Sequence, residues 1–122
     1  MKNAQLISAL TTIAALNPEG YTVDAKTLQP ITRGYAVAVA ATQNSFGLEG
    51  LQRVINYVAT HEETQAFGGW YNSEDGQFYF DATVIVATKA EAMALAQEGD
   101  QYAFYCLHEG KQYDKFGNEI KD

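Results

Sequence analysis

The chain has 122 residues, 47% of them hydrophobic and 19% charged, which fits one folded domain and not a disordered acidic chain. Eight Lys and Arg against fifteen Asp and Glu give a formal charge of -7 and a pI near 4.7. That balance argues against a nucleic-acid partner, because phosphate-backbone binding is driven by neutralisation with Lys and Arg. The single cysteine excludes an internal disulfide and gives no sign of an oxidising compartment.

From the N-terminus, "LISALTTIAAL" (residues 6 to 16) places Leu6, Leu10 and Ile13 on one face with Ile7 and Ala14 beside them, which predicts a helix. It is too short for a bilayer and too diluted by Thr and Ser for a signal peptide, so a cytoplasmic protein with no membrane partner is expected. "NPEG" (17 to 20) stops the helix, "YTVD" begins an extended segment, and "AKTLQPITRG" reads as a loop or an edge strand. "GYAVAVAAT" (34 to 42) alternates Tyr35, Val37 and Val39 against Ala36, Ala38 and Ala40, the period of a strand. After "TQNSFG", Leu51, Val54, Ile55 and Val58 repeat at helical spacing up to about His61 to Thr64, with Asn44 or Ser45 as the expected cap.

"AFGGWYN" and "QFYFDATVIVA" flank the turn "SEDG", which predicts a hairpin. In its second arm Phe78, Phe80, Ala82, Val84 and Val86 share the core face; Gln77, Tyr79, Asp81, Thr83 and Ile85 share the other. Thr88 with Glu91 forms a capping box opening an alanine-rich helix that Gly99 ends. "QYAFYCL" alternates as a last strand, and "HEGKQYDKFGNEIKD" is a polar hairpin arm or a fraying tail. Strand, helix, strand, strand, helix, strand is the split order of an α+β, ferredoxin-like domain with an antiparallel sheet and an extra N-terminal helix. The expected layout is a single domain over 1-122, with 1-33 as N-terminal helix and connection, 34-107 as core and 108-122 as C-terminal arm or tail. Both helices of such a core cover one sheet face; the other is hydrated, covered by the first helix, or buried by a partner.

Several chemistries lack their residues. "GQFYF" in the third core strand invites comparison with an RNA-recognition sheet, but Asp75 stands where a basic residue belongs and the first strand offers Ala and Val in place of stacking rings. His61 and His108 are isolated and "NSEDG" lacks the alternating ligands of a calcium loop, so no metal or other cofactor is expected. Cys106 and His108 share a strand face without an evident orienting carboxylate, which reads as coincidence. The glycines match neither phosphate-binding fingerprint, and no catalytic residue is assigned.

Two features stand out as candidate binding residues. Thr42, Gln43, Asn44 and Ser45 sit at a strand-to-helix junction, where they either read a ligand or cap and turn the chain. Trp70 and Tyr71 follow Gly68-Gly69, where the rings either anchor an interface or pack against a helix; Tyr79 and Asp81 lie on the hairpin's amphipathic face.

The stretches "TQNSFG.EGL" and "GGW...G.FYFDA", within a match from about Gly20 to Leu107, resemble a family of small uncharacterised proteins of phages, prophages and other mobile elements. The resemblance implies a bacterial host cytoplasm and an accessory role, and carries over no catalytic residue. The expected function is binding, to a host or element protein, with interference in host defence as one purpose it could serve. The alternative is a small-molecule binder or enzyme with a site around Thr42 to Ser45, Trp70, Tyr79 and Asp81; a homodimer through the open sheet face is compatible with either.

Overall fold

The elements follow from local chemistry. In α1 (Asn3–Leu16) the Thr11 and Thr12 hydroxyls donate back to the carbonyls of Ile7 and Ser8, and Asn17 Nδ2 donates to the Ile13 carbonyl at 2.8 Å, closing the last turn. After β1 (Tyr21–Asp24) the Asp24 carboxylate accepts from the amides of Lys26 and Thr27, which bends the chain back so that Pro30 bridges to Val23. The computed structural model describes residues 2–121. Met1 and Asp122, the outer ends of the expected N-terminal and C-terminal segments, lie outside the described residues.

β2 (Tyr35–Ala38) is shorter than the alternation predicts. Val39 still donates to the Ala82 carbonyl, but the chain then tightens into a 3-10 turn (Ala40–Thr42), and the Thr42 hydroxyl accepts the Ala82 amide at 3.1 Å in place of a backbone partner. A two-residue strand β3 (Ser45–Phe46) leads into α2 (Gly47–Thr60). The cap of α2 is therefore Phe46, with no side-chain hydrogen bond, and neither Asn44 nor Ser45. Ser45 is already committed to the sheet opposite Phe80, and Gly50 lets the first helical turn lie directly on its backbone: a Cβ there would come within 2.4 Å of the Ser45 carbonyl carbon.

The hairpin β4 (Ala66–Asn72) and β5 (Gln77–Val86) forms as predicted around a turn in which Gly76 takes φ +70°. Thr88 caps α3 (Lys89–Glu98) as expected, its hydroxyl accepting the Glu91 amide at 3.2 Å, but the Glu91 carboxylate accepts from that same hydroxyl at 2.9 Å, so the reciprocal bond of a capping box is replaced by a side-chain pair. The polar tail does not fray: β6 (Ala103–Cys106), β7 (Lys111–Asp114) and β8 (Glu119–Ile120) form a meander in which Phe104 stacks on Tyr113 at 5.6 Å. The protein is thus α+β, with an N-terminal helix and an antiparallel sheet in the order β1-β4-β5-β2-β6-β7-β8, β3 pairing to β5 off this path.

Cross-strand partners share a sheet face, so the register sorts the side chains. Val23, Phe67, Phe80, Ala82, Val84, Val37, Phe104 and Tyr113 fall on one face. The three α-helices of the described residues pack there: Leu10 and Ala14 of α1 with Leu51, Val54 and Ile55 of α2 over the β1-β4-β5 half, Ala92 and Ala96 of α3 over Val37, Phe104 and Cys106. The first helix therefore adds to the covered face and leaves the opposite face without a helix.

The sheet cannot be flat. Ile31 donates to the Thr22 carbonyl on the outer edge of β1, and only residues 32 to 34 separate it from β2. Four residue steps reach about 14 Å, whereas crossing β1, β4 and β5 in a flat sheet takes four spacings, about 19 Å. The edge curls back, which accounts for the burial of Ala66, Gly68 and Thr83 on the face that no helix covers.

Candidate functional site

The helix-free face carries a row of three aromatic rings across β3, β5 and β4. Phe46 lies opposite Tyr79, and Tyr79 opposite Trp70, so the three side chains rise from the same face. Their ring centres are 5.4 and 5.2 Å apart, with Trp70 and Tyr79 nearly parallel at 20°. Such pairs add to burial energetics when offset-stacked. Here, though, Phe46 and Trp70 remain 44% and 47% exposed, so the row presents contiguous aromatic surface to solvent. The row is held upright by Tyr79, whose hydroxyl donates to Asp75 in the hairpin turn; that bond raises the pKa of the tyrosine. On its far side Trp70 faces the β1 edge, where Gly20 has no side chain to cover the indole.

One row further along β5 stands Asp81, opposite Gly68. Its carboxylate lies over the glycine, 2.5 Å from where a Cβ would be, and accepts a hydrogen bond from the Thr83 hydroxyl. The residue is half-buried in the sheet. Burial pushes its pKa up to about 6, against the opposing effect of the Thr83 bond. The paired glycines thus serve opposite faces. Gly68 makes room for Asp81, while a Cβ on Gly69 would come within 2.5 Å of the Tyr21 ring and 2.6 Å of the Phe78 ring, which stack on each other on the helix side.

Of the residues the sequence singles out, Trp70, Tyr79 and Asp81 come together on this face. Tyr71 does not: it alternates to the helix side and lines a groove of about 630 Å³ with Leu48, Leu51, Phe78 and Phe80. Thr42 and Ser45 are buried; Thr42 completes the sheet as described, and the Ser45 hydroxyl accepts from Arg53 at 3.3 Å. Gln43 and Asn44 are exposed in the turn between them, Asn44 at φ +62°, a backbone region that asparagine tolerates better than most residues. The junction is chiefly a turn and an anchor.

Phe46, Gly68 and the Thr83 hydrogen bond belong to the site and escape a reading by sequence pattern. Phe46 looks like the start of a helical run; only its two-residue pairing with β5 assigns it to the sheet face. Gly68 reads as an ordinary strand residue until register sets it beside Asp81, whereas Thr83 shares the Asp81 face by alternation and only its hydrogen bond is new.

Elsewhere, Cys106 is fully buried with its sulfur 3.5 Å from His108 Nε2, and His108 Nδ1 accepts the Gly34 amide at 3.3 Å. Glu109 is taken by the Tyr113 hydroxyl at 2.8 Å, a bond that pushes the tyrosine up to about 12. The thiol has no exposed surface from which to attack a substrate. Among the described residues, no three His, Cys, Asp or Glu side chains are grouped to hold a metal ion, and no helix is long and apolar enough to cross a membrane. No family model, curated protein or solved structure matches the chain.

Proposed function

We propose that this protein acts by binding a protein partner through the helix-free sheet face, as an accessory protein of a mobile element in a bacterial host cytoplasm, with host-defence interference as one purpose. The observation that carries the binding reading is the exposed, stacked row Phe46–Tyr79–Trp70 on a face that none of the three helices covers. Exposed aromatic anchors of this kind are the residues on which interface energy concentrates. The charge of -7 favours a partner with a basic surface and disfavours nucleic acid.

A ferredoxin-like core is supported by connectivity: β2, α2, β4, β5, α3 and β6 follow the split order, and their strands neighbour one another as β4-β5-β2-β6. The mobile-element reading rests on the motif resemblance. The alternative, a small-molecule site around Thr42 to Ser45, Trp70, Tyr79 and Asp81, has less support, because Thr42 and Ser45 spend their hydroxyls inside the fold.

The test is affinity capture from bacterial lysate with wild type, Trp70→Ala and, as a control on the helix side, Leu48→Ser, each checked for folding by circular dichroism. A partner retained by wild type and Leu48→Ser but lost by Trp70→Ala is the expected result. Capture that ignores Trp70 would sink the assignment of the face, and sedimentation showing a dimer that Trp70→Ala dissociates would make the partner a second copy.

A further inference from the structure

Away from the aromatic row, where β2, β5 and β6 end side by side, an open cavity of about 430 Å³ is lined by Arg33, Gly34, Ile85, Val86, Ala87 and His108. No carboxylate is among these lining residues, although the chain holds fifteen Asp and Glu. Two that stand close along the chain are engaged elsewhere: Glu109 accepts the Tyr113 hydroxyl, and Glu91 accepts the Thr88 hydroxyl. Arg33 is exposed and stands alone. The ion pairs among the described residues join Lys111 to Glu119 and Lys115 to Asp100, and the other arginine, Arg53, donates to Ser45; the Arg33 guanidinium has neither kind of bond among those residues. His108 brings a second donor. Its Nδ1 accepts the Gly34 amide, so the neutral ring carries its proton on Nε2, where the Cys106 sulfur, a weak acceptor, lies 3.5 Å away. Gly34, at φ +96°, lets the chain lie close on the apolar wall: a Cβ there would come within 3.1 Å of the Val86 carbonyl oxygen and 3.2 Å of Ile85 Cγ2.

We propose that this cavity is a site for a small aliphatic carboxylate, separate from the aromatic row and independent of the protein-binding reading. The guanidinium of Arg33 takes the carboxylate, His108 donates a further hydrogen bond, and the aliphatic part lies on Ile85, Val86 and Ala87. A planar guanidinium matches a carboxylate with two charge-assisted bonds, and an apolar wall rewards each methyl group that covers it. A metal cation would meet an arginine where it needs anionic ligands. Phosphate would match the same fork, but it brings more negative charge towards a chain of -7 and leaves the apolar wall bare. The carboxylate comes from a free acid or from the C-terminus of a peptide, since both present the same head on an aliphatic body.

The test titrates isotopically labelled protein and follows the backbone amide resonances of Gly34, Ala87 and His108 by NMR. The probes are 4-methylpentanoate, its uncharged amide, acetyl-glycyl-leucine with a free carboxyl terminus, and inorganic phosphate. A saturable shift at those amides is expected with 4-methylpentanoate or with the peptide, the tighter of the two naming the source. Affinity is expected to be about tenfold or more weaker for the uncharged amide and for phosphate, the size of one lost charge-assisted contact. Arg33→Gln, at an exposed position with no hydrogen bond or ion pair to lose among the described residues, is expected to weaken carboxylate binding by about the same factor. Lys111→Gln, which removes a cation outside the cavity, is expected to leave it unchanged. No saturable shift with either carboxylate, an amide that binds as well as its acid, phosphate that binds as tightly, or equal effects of the two substitutions would each overturn the assignment. Because the readout lies away from Trp70, the result stands or falls apart from Trp70-dependent protein capture.

Discussion

The two faces of the sheet are built by one alternation and put to different uses. On the helix side, Phe67, Phe80 and Ala82 meet Leu10, Val54 and Ile55, and every one of them is buried. On the other side, Trp70 and Phe46 stay half exposed, and the carboxylate of Asp81 beside them accepts the Thr83 hydroxyl. The helix-packed core and the exposed aromatic row are thus set across the thickness of a single sheet. The face that could be spared from the core is the one free to carry aromatic surface and unpaired charge.

The sharpest way to break this comparison is to delete an equal amount of aromatic surface from each side. Phe67→Ala empties a site that is 2% exposed in the middle of the larger core. It is expected to cost about 3–5 kcal/mol, read as a lower midpoint in urea unfolding with an unchanged slope. A loss below about 1 kcal/mol would mean that the helix side is not the main core.

The glycine pair tests the same division with one methyl group. At Gly69 a Cβ meets the Tyr21 and Phe78 rings, which are packed on the helix side and cannot swing away freely. Gly69→Ala is expected to destabilise by about 1–3 kcal/mol through overpacking. At Gly68 the atoms in the way are the ends of two polar side chains, Asp81 Oδ1 at 2.5 Å and Thr83 Oγ1 at 2.9 Å, and not packed rings. Gly68→Ala should cost visibly less in unfolding, and equal losses at the two positions would contradict the asymmetry.

Asp81 adds a dependence on pH. Its folded pKa of about 6 lies above its ordinary 3.8, so the native state holds the proton more tightly than the unfolded chain does. The penalty is absent below pH 4, grows between pH 4 and 6, and is complete above 6. Asp81→Asn removes it. The variant should match wild type near pH 4 and be more stable above pH 6 by about 1–3 kcal/mol. A difference that does not change with pH would show the carboxylate to be solvated.

Much of this architecture is legible in the sequence, for physical reasons. The β4–β5 hairpin carries a period of two on both arms around a turn-forming tetrad, and α2 carries a stripe at helical spacing, so local pattern and global fold agree. The site is only partly legible. Tyr79 and Asp81 announce themselves by alternating opposite Phe80, whereas Phe46 joins the row through a two-residue strand that no periodicity can signal. Tyr71 is misplaced beside Trp70 because adjacent residues on a strand look like neighbours in a sequence and point to opposite faces. The Thr42–Ser45 cluster misleads for a related reason. Its polar groups resemble a displayed set, but the Thr42 hydroxyl replaces a backbone partner where β2 breaks off and the Ser45 hydroxyl accepts from Arg53.

The smallest expected effect on stability belongs to the residue with the largest expected effect on binding. Trp70 is 47% exposed, stacks on Tyr79 across one strand pair, and is not one of the buried residues that form the larger core. Trp70→Ala loses a cross-strand aromatic contact worth about 0.5–1 kcal/mol and gains back the hydration of a ring that was never fully dry. Its urea midpoint should sit close to that of wild type, while Phe67→Ala shifts it several times further. On the proposed reading, an aromatic residue that the fold does not need for its stability, on the face that the helices leave free, serves for what it touches in solution. If Trp70→Ala proved as destabilising as Phe67→Ala, the indole would be a core residue with an exposed edge, and the division of labour between the faces would be wrong.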